Sequence, residues 1–282
     1  VYARAPASSA NLGPGFDTLA VALELFVEVT LEPADAFSIA SEGAGAGLFD
    51  DERHLAAAVA RDVLGHDRFA LRVSSQVPVA RGLGSSAALA VAAAAAAGAS
   101  DPFAVATRVD GHPENAAASR WGGLVTAGVD ATGAAAARAL TLDHEWRFVV
   151  VVPDEELATL DARRALPELV PFADAVANLN ALGLLIAGLA DHHAFCPGSM
   201  DDRLHQSYRA SLLPYATSLL EALRDAGAAG ACWSGAGSSM LALCHGDATA
   251  RVASGARAFL AEESLAGEVL TLEADRTGLV TR

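Results

Sequence analysis

The sequence predicts an α+β protein built as two units, and three observations carry that expectation. Its 282 residues suffice for two cores of ordinary size. Its first half mixes strand-like runs (26–31 and 69–77) with helical ones (55–64 and 87–97). Its second half reads as helices followed by short strands, which is the pattern of helices layered on a small antiparallel sheet.

In chain order, the run WRFVVVV (146–152) is continuous, apolar and ended by Pro153 and Asp154, as a buried central strand would be. The division is expected just after it, giving units 1–153 and 154–282, with the last strand free to return to the first unit. Helical patterns follow at 157–166, 175–189 and 212–225, then strands at 231–233 and 240–244, a helix at 251–263 and a strand at 268–272. No internal repeat interrupts this order.

Hydrophobic residues make up 52% and charged residues 19%, the composition of a chain that folds around a core. Nineteen basic residues against thirty-four acidic ones give a net charge of −15, which repels nucleic acid. All nineteen are Arg, a bias in keeping with a chain crowded with Ala, Gly and Val. The absence of Lys excludes a Walker A loop, a protein kinase and a pyridoxal phosphate enzyme, each of which needs a lysine.

Cys196, Cys232 and Cys244 are odd in number and form no CxxC pair, so neither a disulfide framework nor a zinc knuckle is expected, and a reducing cytoplasm fits. The uncharged stretch 82–100 is mostly Ala and predicts a buried helix, not a membrane span. No basic stretch followed by an apolar run lies near Val1, so export is not expected.

Four segments can carry chemistry. VPVARGLGSSAA (77–88) reads as a strand, a glycine turn and a helix starting near Ser85. Gly82 and Gly84 let the backbone fold around phosphate oxygens at a helix N-terminus, and Ser85 or Ser86 adds a hydroxyl for phosphate or magnesium. The same letters fit the dinucleotide fingerprint GxGxxA with Asp101 as the ribose acid, and also a plain strand-to-helix turn. APASSANLGPGFD (5–17) predicts an irregular loop bearing Asn11 and Asp17. The alternative is an Asx turn at Asn11 and a helix over 18–26 capped by Asp17.

DGHPEN (110–115) brackets His112 with two carboxylates suited to a divalent ion, or simply opens a helix with acids. WSGAGSSM (233–240) is a second glycine turn that either approaches phosphate or only connects strands. His192, His193 and Cys196, and likewise Asp201, Asp202 and His205, match no zinc spacing and are expected in solvated loops.

Together with WGGLV, DARRALP and DRLHQSYR, these segments in this order resemble the GHMP kinase superfamily, small-molecule ATP kinases without a Walker A lysine, and within it the homoserine kinases. The resemblance spans nearly the whole chain. It implies an N-terminal nucleotide domain of the ribosomal protein S5 domain 2 type, a ferredoxin-like C-terminal domain, and ATP and Mg2+ as cofactors. It places Gly82, Gly84 and Ser85 around the ATP phosphates, within a nucleotide-binding stretch that also includes Arg81, Leu83, Ser86 and Ala87, sets His54 near the nucleotide, and puts Ser86 and Asp110 on magnesium. It sets Asn11, Asp17, His112 and Glu114 around the amino and hydroxyl end of homoserine. Arg163 and Arg209 then grip the carboxylate, a bidentate task that suits arginine.

The sequence departs from the commoner EGHPDN form by exchanging both acids, and Ser207 and Ser238 stand where Pro is usual. The implied reaction is phosphorylation of the L-homoserine side-chain hydroxyl to O-phospho-L-homoserine for threonine synthesis, in the cytoplasm, without nucleic acid or membrane. Relatives often dimerise, but no residue pattern here decides that. The alternatives are a GHMP kinase for another small alcohol, a nicotinamide-dependent oxidoreductase, or a non-catalytic nucleotide-binding relative.

Overall fold

The computed structural model describes residues 1–282. Two sheets organise the chain. The first is built on a long hairpin, β1 (Tyr2–Asn11) against β2 (Gly15–Pro33). Along its later half β2 pairs with β4 (Phe69–Ser75), and along 19–21 with β5 (Leu124–Val129). The parallel strand β3 (Ser38–Gly43) flanks β4, β6 (Ala135–Leu140) flanks β5, and the short β11 (Val280–Thr281) joins β1.

Neither the irregular loop expected over 5–17 nor the helix over 18–26 forms; only the turn between β1 and β2 is irregular. Leu19–Leu23 is fully buried, so both faces of this stretch are apolar and the period of 2 that marks a half-exposed strand is missing. Pairing with β1 and β5 overrides the helical propensity of its Ala and Leu.

Four helices accompany this sheet: α1 (Leu55–Leu64), α2 (Ser85–Ala96), α3 (Pro102–Asp110) and α4 (Pro113–Trp121). The alanines of α2 are buried, as expected for the uncharged stretch, and α2 packs directly against β1 and β2. Asp101, the candidate ribose acid, caps α3 by accepting from Ala104 N at 3.1 Å. With that acid engaged and the sheet almost wholly antiparallel, the dinucleotide reading has no structural basis.

The second sheet is antiparallel and runs β10 (Gly267–Leu272), β7 (Arg147–Pro153), β9 (Met240–Cys244), β8 (Gly230–Trp233). The strand expected to close the first unit at Pro153 therefore lies inside the second sheet. A continuous apolar run announces a central strand but does not say of which sheet. Likewise the strand at 268–272 stays with β7, and it is β11 that reaches the first sheet.

β7 alternates between two cores: Val149 and Val151 pack with α8 (Ala216–Asp225) and α9 (Ala248–Glu262), while Phe148, Val150 and Val152 join the core of the first sheet. Between β7 and α8 lie three more helices, the short α5 (Thr159–Arg164), the apolar α6 (Phe172–Ala190) and the single turn α7 (Gln206–Arg209). Leu185 and Leu189 anchor α6 in the larger core, while Phe172 and Leu179 face solvent.

Candidate active site

A cavity of about 130 Å³ is walled by residues of both halves of the chain, from the β1–β2 turn, the loop before α2, the α3–α4 junction, α5, α7 and the loop after β8. It brings together Asn11, Asp17, the loop 81–86, Asp110, His112, Glu114, Arg163 and Arg209.

The loop before α2 is shaped by its glycines. Gly82 and Gly84 have φ of 70° and 63°, in the left-handed region that L side chains rarely adopt. A Cβ on Gly82 would strike the Ser234 carbonyl, and one on Gly84 the Ser8 hydroxyl. Gly84 is the N-cap of α2 and contributes no side-chain cap, so the first amides of the helix remain available to an anion.

The second glycine turn does more than connect β8 to β9, because it clamps this loop. Ser234 Oγ donates to the Gly82 carbonyl at 2.7 Å, Ser239 N to that of Arg81, and Gly235 N to that of Ala10. Arg81 itself is a strut: its guanidinium donates to the carbonyls of Pro153, Asp154 and Val79 at 2.6–3.0 Å. Those bonds tie the loop to the strand end at Pro153 and Asp154. Leu83 and Ala87 are buried and present no polar side chain, and Ala87 does not reach the cavity wall.

Asn11, Leu12 and Asp17 have positive φ, so the β1–β2 turn is strained where it meets the cavity. Asn11 holds it there: its Nδ2 donates to Gly235 O at 2.8 Å and its Oδ1 accepts from Asp17 N at 3.0 Å. Arg163 on α5 donates to both carboxylate oxygens of Asp17, and the guanidinium groups of Arg163 and Arg209 lie 5.5 and 5.3 Å from the Phe16 ring centre.

Arg209 is 2% exposed, and no carboxylate pairs with it. It donates to Ala162 O and Gly235 O, and at 3.2 Å to His205 Nδ1. Nε2 of His205 donates to Gly13 O at 2.9 Å, leaving Nδ1 to accept from the guanidinium. Burial holds His205 down to about 4, so it stays neutral, and burial also lowers Arg209 to about 10.

The solvated loop expected for Asp202 and His205 is therefore wrong: both side chains are fully buried, and Asp202 caps α7 through the amides of His205 and Gln206. His205 is the site residue missed by sequence reasoning. Its partners lie on the β1–β2 turn, far away in sequence, and the spacing of four from Arg209 on a helical path was the available signal.

Glu114 opens α4, is 2% exposed, and leaves Oε2 without a partner; burial raises it to about 7. Its neighbour Asn115 accepts from Ser8 Oγ at 2.8 Å, tying α4 to β1. Asp110, the last residue of α3, places Oδ2 3.3 Å from His112 Nδ1, and this hydrogen bond raises His112. Ser86 and Asp110 thus offer two hard oxygen donors in one cavity, which suits magnesium.

His54 caps α1, its Nδ1 accepting from Ala56 N at 3.1 Å. It lines a separate apolar cavity of about 360 Å³, with Phe49, Leu55, Val73 and Leu89, that shares Ser85 and Ser86 with the first.

The model for the GHMP kinases N-terminal domain matches residues 53–123, and that for the GHMP kinases C terminal matches 172–262. The homoserine kinase of Desulfitobacterium hafniense is 35% identical over 296 residues, covering 99% of this chain and 98% of that protein. That of Gloeobacter violaceus is 40% identical over 267 residues, covering 86% and 87%. A crystal structure of homoserine kinase from Cytophaga hutchinsonii superposes with a TM-score of 0.87 at 25% identity, covering 99% of this chain and 96% of that one. Mevalonate kinase of L. major shares the fold at a TM-score of 0.73 and 14% identity, covering 97% and 95%. The chain belongs to the GHMP kinases, in the family of the homoserine kinases.

Proposed function

We propose that this chain transfers the γ-phosphoryl group of ATP to the side-chain hydroxyl of L-homoserine, giving O-phospho-L-homoserine and ADP. One observation carries the reading: the cavity beside the glycine loop holds a buried guanidinium without a counter-anion, Arg209, and a buried carboxylate with an unpartnered oxygen, Glu114. That is the charge complement of a zwitterionic amino acid. A polyol or a mevalonate-like acid would leave Glu114 without an ammonium.

On this reading the first amides of α2 hold the ATP phosphates, and the apolar cavity at His54 takes the adenine. Ser86 and Asp110 would hold Mg2+, which when bound neutralises charge on the transferring phosphates. Arg163 and Arg209 hold the substrate carboxylate, and Glu114, with His112 beside it, holds the ammonium. Asp17, fixed by Asn11, orients the hydroxyl in line with the γ-phosphorus. The O–P bond forms as the bond to ADP breaks, and the hydroxyl proton leaves to solvent or Asp17. Positioning and electrostatics dominate such a loose transition state, so no strong base is required. Sheet membership supports a division of the two units between β6 and β7, with β11 returned to the first. The biological setting of the reading is threonine synthesis in the cytoplasm.

The test is ADP release from MgATP with L-homoserine, L-threonine, mevalonate and shikimate in parallel. Homoserine-selective release is expected. Preferential turnover of another alcohol would overturn the substrate, and no release with any would overturn the activity.

A further inference from the structure

The two histidines at the end of α6 do not lie in an isolated solvated loop. Three segments far apart in sequence meet there: the loop before β7 with Asp143, the end of α6 with Asp191, His192 and His193, and the end of β9 with His245. One ligand atom from each of Asp143, Asp191 and His192 lies within 4.8 Å of the other two. The His193 and His245 rings lie 3.9 and 5.4 Å from the His192 ring, centre to centre. The edges of His192 and His245 also meet the Trp146 ring, which is buried and anchored by its Nε1 donating to Gly188 O at 3.2 Å.

The donors are fixed from behind. Asp143 N donates to Leu189 O at 2.8 Å, and Arg276 donates to the carbonyls of Leu142 and Asp143 at 2.9 and 3.0 Å. The Asp143 carboxylate accepts from the amides of Glu145 and His192, and its Oδ2 lies 2.6 Å from His192 Nδ1.

We propose that Asp143, Asp191 and His192 form a binding site for a divalent transition ion of the zinc class, with His193 or His245 as the fourth ligand. A tetrahedral sphere with bonds of about 2.1 Å sets its ligand atoms roughly 3.4 Å apart, so small side-chain rotations close the cluster on an ion. The ion takes the place of the proton between His192 Nδ1 and Asp143, and the neutral ring carries its proton on Nε2 instead. Imidazole beside carboxylate favours Zn2+, Ni2+ or Co2+ over Mg2+, which prefers oxygen alone. Bound there, the ion staples the entry of β7, the end of α6 and the end of β9. None of these residues lines the candidate active cavity, so the site is independent of catalysis.

The experiment is calorimetric titration with ZnCl2 in excess MgCl2, which occupies oxygen-only donors such as Ser86 and Asp110, together with thermal unfolding and the visible spectrum of bound Co2+. Expected are one equivalent bound with micromolar affinity, a tetrahedral cobalt spectrum, and an unfolding midpoint that rises with zinc. His192→Gln and the exposed Asp191→Asn should each weaken binding at least about tenfold and leave MgATP-dependent activity unchanged. Binding no tighter than millimolar, or equal binding by the parent and both variants, overturns the proposal.

Discussion

Arg163 holds both oxygens of Asp17, at 2.9 and 2.8 Å, and so joins α5 to the strained turn between β1 and β2. The proposed reaction assigns these partners to opposite ends of the substrate. On that proposal Asp17 stands in for the substrate carboxylate, and binding would exchange one anion for another on the same guanidinium.

Arg163→Ala should raise KM for homoserine by about tenfold to a hundredfold, since a charged hydrogen bond contributes about 1.5–3 kcal/mol. Both side chains are about four-tenths exposed, at 43% and 42%, so the thermal midpoint should move little. Steady-state kinetics beside a melting curve checks both. An unchanged KM would remove Arg163 from the pocket.

Arg209 should show the opposite balance. Its guanidinium is buried without an anion, so hydrogen bonds to neutral acceptors only partly offset its desolvation. Arg209→Met keeps the volume and removes the charge. Homoserine turnover should fall by at least about tenfold while the melting midpoint holds or rises. A variant that unfolds early while its KM is unchanged would mean that Arg209 serves the fold instead.

These arginines also show what the sequence discloses. The pattern of turns and apolar periods located α1 at Leu55–Leu64 and β9 at Met240–Cys244, where charged residues and Gly65 bound the first run and glycine turns the second. It located the later part of β2 at 26–31 but not β1 or the start of β2, whose Ala- and Leu-rich core is buried on both faces, nor the sheet that claims β7. Residues that line the candidate cavity, such as Asn11, Glu114 and Arg209, stand out in the motif segments. Their supports were not, because the Arg81 strut and the His205 bond to Gly13 close across distant parts of the chain.

Glu114 makes the site pH-dependent. Burial lifts it from 4.5 to about 7, with Asp17 and Asp110 adding to the rise and its own amide and His112 opposing it. Arg163 also faces this group through its link to His112. Because the folded value is raised, the stability contribution is complete below 4.5 and is lost as pH climbs through about 7. Glu114→Gln should therefore be more stable than the parent at pH 8 by up to about 3 kcal/mol, and near parity at pH 4. In the parent, kcat/KM for homoserine should rise through about pH 7 as the carboxylate ionises to meet the ammonium. The Gln variant should lose that rise. If both proteins give the same profile, Glu114 does not bind the ammonium.

Gly82 tests whether the two glycine turns act as one device. Its φ of 70° already disfavours any L side chain, by about 1–2 kcal/mol. An added Cβ also meets the Ser234 carbonyl and the backbone of Gly237, which cannot rotate away as a side chain could. Gly82→Ala must then push the loop before α2 off the turn after β8, breaking the bond from Ser234 Oγ that holds it. The α2 N-terminus should lose its fixed distance from Arg209, so ATP affinity and homoserine turnover should fall together. A melting midpoint lower by about 4–8 °C should accompany them, the shift expected of about 2 kcal/mol in a chain of this size. Gly133→Ala, where an added Cβ meets nothing within 4 Å and φ is 85°, is the control for left-handed backbone strain alone. Equal effects of the two substitutions on ATP affinity would show that strain, not apposition of the turns, is what Gly82 relieves.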